Sequence, residues 1–291
     1  MTRTRKLLLS LALAALPAAL AACGGGAGIS ADSAASCAAS GRAFKSPGTL
    51  TVGTDNPAFP PWFGGGNARK PWKFNDPASG QGYESAVAYA IGAKLGFSAG
   101  DLTWRVVPFA KAIAPGAKDF DILLNQVSID PDRAKAVDFS VGYLDVNQAV
   151  VALARNPIAN AVSIADLKGY RLGASKGSTS LAAIGRVVKP TTAAAVYDTN
   201  EAAVRALEDG RVDGIVVDLP TGYSVTAEQV EGSTIVGQFE SRSPEQLGVV
   251  LEKDSRLTDC VNLAVEELRI DGTLAALEQR WLTGAAAPLL K

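Results

Sequence analysis

The sequence predicts an α/β protein, in two domains or in one domain of two lobes. Short apolar strand-like runs alternate with helix-like stretches, polar residues gather just past the carboxyl ends of those runs, and 291 residues suit two packing units. The first strand is Leu50-Thr51-Val52-Gly53-Thr54. Residues 86–95 read as a helix, with Val87, Ile91 and Leu95 on one stripe and Gly96 as its stop. Residues 121–124 and 171–174 read as buried strands. Asn200 is placed to cap a helix through Leu207 that stops at Gly210, and residues 215–217 form a further buried strand. Such alternation favours parallel sheets.

The chain opens with a leader. Arg3, Arg5 and Lys6 precede an apolar run over residues 7–22, the pattern of an export signal and short for a membrane span. The run ends Leu20-Ala21-Ala22-Cys23 and three glycines follow, which resembles the lipobox of bacterial lipoproteins. Residues 1–22 are then a removable signal peptide. Acylated Cys23 is the lipid anchor, holding the protein at the extracytoplasmic face of the cell membrane. Residues 23–44, rich in Gly, Ala and Ser, are expected to be a flexible tether, with structure beginning near Thr49. Export also favours oxidation of thiols, so Cys37 and Cys260 are expected to form a disulfide that staples the start of the folded part to a C-terminal helix.

Composition excludes several functions. Apolar residues are 47% and charged residues 20%, ordinary for a globular protein, and the net charge is −1. No basic stretch points to nucleic acid. The chain has no histidine, which removes Ser-His-Asp and Cys-His nucleophile systems. With three cysteines, none closely spaced, a zinc site is not expected, and neither is a cofactor. The protein reads as a binder and not an enzyme.

The polar clusters are the candidate site, because open α/β sheets bind ligands at the carboxyl ends of their strands. Asp55 follows the first strand, residues 125–128, including Gln126 and Ser128, follow Leu124, residues 176–179 follow Ala174, and Asp218 follows Val217. Arg133 lies just after Asp130 and Pro131, which suit the cap and first turn of a helix. Its guanidinium matches a carboxylate bidentately. Spacing alone favours a surface arginine paired with Asp132 or Asp138. Gly177-Ser178-Thr179 marks a strand-to-helix turn that either receives an anion or simply caps the helix, and it lacks the Walker pattern. Asp218 can accept from an ammonium group or cap the next turn. Phe59 and Trp62, in a proline-rich loop, wall a pocket or belong to the core. Together, a cation fork on one side and a carboxylate on the other suit a zwitterion, a free amino acid.

At these residues the chain resembles family 3 of the bacterial extracellular solute-binding proteins, over about residues 48–282. The motifs run in order: Gly53-Thr54-Asp55 through Phe59-Pro60-Pro61-Trp62; Gly82-Tyr83-Glu84; Ser128-Ile129-Asp130-Pro131-Asp132-Arg133 with Val137-Asp138-Phe139-Ser140; Gly210-Arg211-Val212-Asp213-Gly214; and Asp271-Gly272-Thr273-Leu274 with Arg280-Trp281. The resemblance implies a two-lobed periplasmic-binding-protein fold of type II with two hinge strands. Lobe one would be 45–148 plus 242–291, and lobe two 149–241. It implies that Arg133, with Ser128, Ser178 and Thr179, grips the ligand carboxylate, that Asp218 takes the ammonium, that Phe59 lies against the ligand, and that Asp55 bears on side-chain selectivity. The chain would be monomeric, passing a polar amino acid to the permease and ATPase of an ABC importer. The alternatives are a sensor lipoprotein acting on a membrane partner and a periplasmic dehydratase of the cyclohexadienyl type, for which Glu84 and Asp55 are the nominated acids. Lys176 and Asp55 leave acidic and amide side chains open.

Overall fold

Helix α1 (Ala34–Ala39) lies inside the segment expected to be tether. The structure is a computed structural model and describes residues 33–39, 44–66, 68–240, 245–282 and 287–291. The leader, Cys23 and most of the expected tether lie outside the described residues. The chain continues through β1 (Leu50–Thr54), α2 (Tyr83–Lys94), β2 (Leu102–Val106), α3 (Phe109–Ala112), β3 (Ile122–Leu123), β4 (Val137–Phe139) and β5 (Leu144–Val146). Next come β6 (Gln148–Leu153), β7 (Leu172–Ser175), α4 (Thr179–Ala183), β8 (Ala195–Tyr197), α5 (Asn200–Glu208), β9 (Gly214–Asp218), α6 (Leu219–Ser224) and β10 (Ser233–Phe239). It closes with β11 (Glu245–Leu247), β12 (Val250–Glu252), α7 (Thr258–Ile270) and α8 (Thr273–Trp281).

These strands make two five-stranded sheets, ordered β2-β1-β3-β12-β4 and β10-β6-β9-β7-β8. Each has its own apolar core, the first around Leu50, Ile91, Ile122 and Val261, the second around Val150, Leu172, Leu207 and Ile215. The expected parallel pairing holds for β1 with β2 and β3, and for β7 with β8 and β9. The sheets are nevertheless mixed, because β12 runs antiparallel to β3 and β4, and β6 antiparallel to β9 and β10. A strand entering from the hinge starts at the cleft edge and runs away from it, opposite to strands that end there.

Element ends differ from the sequence reading for local reasons. α2 starts three residues early, at Tyr83, behind Gly82 with φ 91°. A Cβ on Gly82 would lie 2.5 Å from the Phe63 Cα, so only glycine fits both the backbone and the space. Thr199, not Asn200, caps α5, its hydroxyl accepting from the Ala202 N–H. β3 is shorter than residues 121–124. Asp121 instead turns its carboxylate to the Thr51 and Lys45 N–H groups, both at 2.7 Å.

β5 and β6 are joined through Asn147, and β5 pairs antiparallel with β11, so the two crossing strands brace each other. The tail makes a further passage between the lobes. Residues 287–291, expected with the first lobe, lie on the second. The Gln238 N–H donates to the Pro288 carbonyl and the Leu290 N–H to the Gln238 carbonyl, both at 2.8 Å. Leu290 is buried over Gly237, where any Cβ would fall 2.6 Å from the Leu290 Cγ.

The Cys37–Cys260 disulfide is present, with Cα atoms 5.3 Å apart and a sequence separation of 223. It overturns the reading of residues 34–39 as tether. Ala34, Cys37 and Ala38 are buried, and the Ala34 N–H donates to Glu267 on α7 at 2.8 Å. Six residues are too few for a stable free helix, so the crosslink and this packing hold α1. Cys260→Ser is expected to lower stability by about 2–4 kcal/mol. A urea midpoint equal to that of the unaltered protein would show that the crosslink carries no stability.

Candidate functional site

Polar segments that follow β3 and β7 meet between the two lobes, Ser128 reaching Thr179 and Arg133 reaching Gly177. Arg133 does not begin a full helix, as expected, but a single 3-10 turn, Arg133–Lys135. Asp130 still fastens that turn, accepting from the Asp132 and Arg133 N–H groups at 2.9 and 3.2 Å. The Arg133 side chain pairs with neither Asp132 nor Asp138, which bind Lys135 and Lys253. It points across the cleft. Nη1 donates to the Ser128 carbonyl at 2.9 Å and Nη2 to the Gly177 carbonyl of the other lobe at 2.8 Å. Its guanidinium carbon lies 5.4 Å from the centre of the Phe109 ring. Burial lowers its pKa, and Asp130, Glu245 and Asp218 push back the other way.

Opposite stand Thr179 and Asp218. The Ser128 and Thr179 hydroxyls meet across the cleft at 3.2 Å. The Ser178 hydroxyl is a helix cap, accepting from the Leu181 N–H at 3.0 Å and donating to the Ser175 carbonyl at 2.7 Å. Lys176 is exposed. Asp218 ends β9 and accepts from Gln148 Nε2 at 2.7 Å. Its pKa is pushed up to about 7, chiefly by burial and then by the Glu245 carboxylate.

Asp55 turns back onto its own lobe, accepting from the Asn56 and Phe109 N–H groups at 2.7 and 3.2 Å, and burial raises its pKa. It thereby sets α3 and the Phe109 ring beneath Arg133. Phe59 packs on Phe74 at 4.9 Å between ring centres. Trp62 is buried, and its indole N–H donates to the Thr221 hydroxyl of the other lobe at 3.0 Å. It is therefore both core and lobe contact.

Gln126 sits at φ 48°, unusual for a residue other than glycine. Glu84 holds it there, accepting from both its backbone N–H and its side-chain amide. Glu84 is fully buried, also accepts from the Tyr143 hydroxyl, and has its pKa raised by burial to about 7. As the acid nominated for a dehydratase it has both oxygens engaged.

Three cleft residues carried no sequence signal. Glu245, at the start of β11, accepts from the Ser128 hydroxyl and from Gln148 Nε2, the latter at 2.9 Å. Gln148, at the start of β6, so bridges Glu245 and Asp218, while Phe109 lies under Arg133. Glu245 and Gln148 reach the cleft only because the hinge brings β6 and β11 there.

A family model described as bacterial extracellular solute-binding proteins, family 3, matches residues 62–284. An arginine-binding extracellular protein of Bacillus subtilis, ArtP, is 27% identical over 74% of this chain and 83% of its own length. An L-cystine-binding protein of Escherichia coli K12, TcyJ, is 28% identical over 81% and 84%. Among solved structures, an ancestral arginine-binding protein bound to glutamine is 30% identical, with a TM-score of 0.66 over 81% of this chain and 98% of that one. The family model's match across most of the chain, with the likeness in fold, places this protein in family 3 of the bacterial extracellular solute-binding proteins.

Proposed function

We propose that this protein is the extracytoplasmic amino-acid-binding subunit of an ABC importer, anchored by lipid at Cys23 and acting as a monomer. It closes two lobes around a free amino acid and presents the closed form to the membrane permease and its ATPase. The observation that carries this reading is that Arg133 on one lobe and Asp218 on the other lie close enough across one cleft to act on each other's charge. Arg133 takes the α-carboxylate with the N–H groups it does not spend on Ser128 and Gly177. Ser128 and Thr179 add hydroxyls beside it, and Asp218 takes the α-ammonium. A ligand gripped from both lobes favours the closed form, since only there are both sets of contacts made. The relatives support the class of ligand, being named for arginine and cystine. One chain supplies both halves of the site, which supports a monomer. The match to an extracellular family supports export, and among the described residues no helix is long and apolar enough to cross a membrane.

Calorimetry against the twenty L-amino acids tests this function directly. At least one is expected to bind with a 1:1 stoichiometry. Absence of binding by all twenty would sink the proposal.

Asp218 also makes binding depend on pH. In the free protein its carboxyl holds a proton up to about pH 7. An ammonium partner favours the charged form, so binding expels that proton. Affinity is expected to rise as pH increases from about 6 to 8, with proton release visible as a buffer-dependent heat. Glu245 and Glu84, which face Asp218, oppose its ionisation, and Arg133 assists it. The same raised values work against the ligand-free fold. Asp218 and Glu84 titrate near 4 when unfolded and near 7 when folded, so their protonated forms favour folding below the unfolded values, and that contribution fades as pH rises through about 7.

A further inference from the structure

We propose that Trp62 and Thr221 form a latch between the lobes, and that Thr221 is a positioning residue that sets affinity without touching the ligand. The proposal rests on the amino-acid reading above and deepens it. Two contacts across the cleft, Arg133 to Gly177 and Ser128 to Thr179, involve side chains already assigned to the ligand carboxylate. A further one joins the Trp62 indole N–H of the first lobe to the Thr221 hydroxyl of the second at 3.0 Å. Neither of these groups has a part in holding the zwitterion. Their hydrogen bond therefore adds to closure to the same extent for every amino acid that the cleft takes.

Both partners are fixed to their own lobes. Trp62 is 2% exposed, and its carbonyl accepts from the Glu84 and Ser85 N–H groups at 3.0 and 3.4 Å. Those donors belong to the first turn of α2, which has no helix carbonyl to offer them, so the residue is tied to the start of that helix. Its ring meets the Tyr83 ring edge-on, with centres 6.2 Å apart. On the other lobe, Thr221 lies in the first turn of α6, behind the buried Pro220 and three residues after Asp218. The Asp218 carboxylate makes no cap hydrogen bond to that helix, which leaves it free to face the cleft. A bond to Thr221 thus acts on the turn that presents Asp218. Beside this contact the lobes are loosely packed, with a cavity of about 140 Å3 between Pro60, Pro61 and the Pro220 and Tyr223 side of α6. The hydrogen bond, more than apolar packing, aligns the lobes here. When the lobes part, water can replace Thr221 as the acceptor. When they close without that acceptor, the indole N–H is left buried and unpaired, which costs free energy. Loss of the hydroxyl therefore penalises the closed form alone.

The test sets Thr221→Val, which keeps the branched shape and removes the acceptor, beside Thr221→Ser, which keeps the hydroxyl. Both whole chains, checked for folding by their melting curves, are titrated with the twenty L-amino acids. Thr221→Val is expected to weaken every amino acid that the unaltered protein binds by about tenfold, through faster release and not slower capture. Thr221→Ser is expected to recover most of that loss. In a Trp62→Phe background, which lacks the donor, Thr221→Val should make no further difference. Unchanged affinity in Thr221→Val, or losses from Trp62→Phe and Thr221→Val that simply add, would overturn the latch. A loss for one amino acid with none for another would place Thr221 against the ligand and equally overturn its role. If no amino acid binds, the amino-acid reading falls and small-angle X-ray scattering of the chain alone judges the latch. A larger radius of gyration in Thr221→Val then supports it, and an equal one rejects it.

Discussion

Arg133→Ala is expected to weaken amino-acid binding by about 2–5 kcal/mol, the usual cost of removing one partner from a buried charged hydrogen-bonded pair. Asp130, Glu245 and Asp218 all act on the Arg133 guanidinium. Asp218 and Glu245 both lie in its field, and its fork reaches a carbonyl on each lobe. Removing it takes away the proposed partner of the ligand carboxylate and one lobe-to-lobe hydrogen bond together. Arg133→Lys keeps the charge but loses the planar fork, so its affinity should fall between those of the alanine variant and the unaltered protein. Calorimetry gives both numbers. An alanine variant that binds as tightly as the unaltered protein would remove Arg133 from the site.

Asp218→Asn is expected to cost about 2–5 kcal/mol of affinity for amino acids and to spare an analogue that lacks the amine. The folded protein should not suffer in the same way. The raised pKa of Asp218 means that its charged form is disfavoured in the fold, and its neighbours Glu245 and Glu84 are part of the cause. An amide keeps the size, can still hydrogen-bond Gln148, and carries no charge. The variant should therefore match or exceed the unaltered protein in melting temperature near pH 8 while losing its ligand. Equal loss for an amino acid and its deaminated analogue would show that Asp218 does not hold the ammonium.

The sequence made the strands that end at the cleft legible because each is a short apolar run followed by polar residues. β1 lies as read, and β7 and β9 lie within a residue of it. The hinge was legible only through the family resemblance, and the tail only in part. Residues 287–291 reach the second lobe because Leu290 fills the space over Gly237, a pairing between positions 53 residues apart that no local pattern announces. α1 was hidden for the same reason. Its composition is that of a tether, and it is ordered by a crosslink and by burial against α7.

Site residues divide along the same line. Thr179 and Asp218 lie at or just past strand ends, where position points to a ligand cleft, whereas Arg133 stands out only when the polar residues are taken together. Ser178 follows a strand end too, yet its hydroxyl is used up by the helix cap. Asp55 faces its own lobe and acts through α3. Glu245 and Gln148 start hinge strands, where neither apolar periodicity nor turn chemistry marks a binding position. Their meeting with Asp218 depends on two crossings folding back together.

In the proposed complex the two ends of one zwitterion bridge Arg133 and Asp218 across the cleft. A crystal structure with the amino acid chosen by calorimetry tests it most directly. The expected result is a carboxylate within hydrogen-bonding reach of the Arg133 guanidinium and an ammonium within reach of the Asp218 carboxylate, in a closed protein. A bound amino acid held by one lobe alone, or one whose ammonium lies away from Asp218, would contradict it.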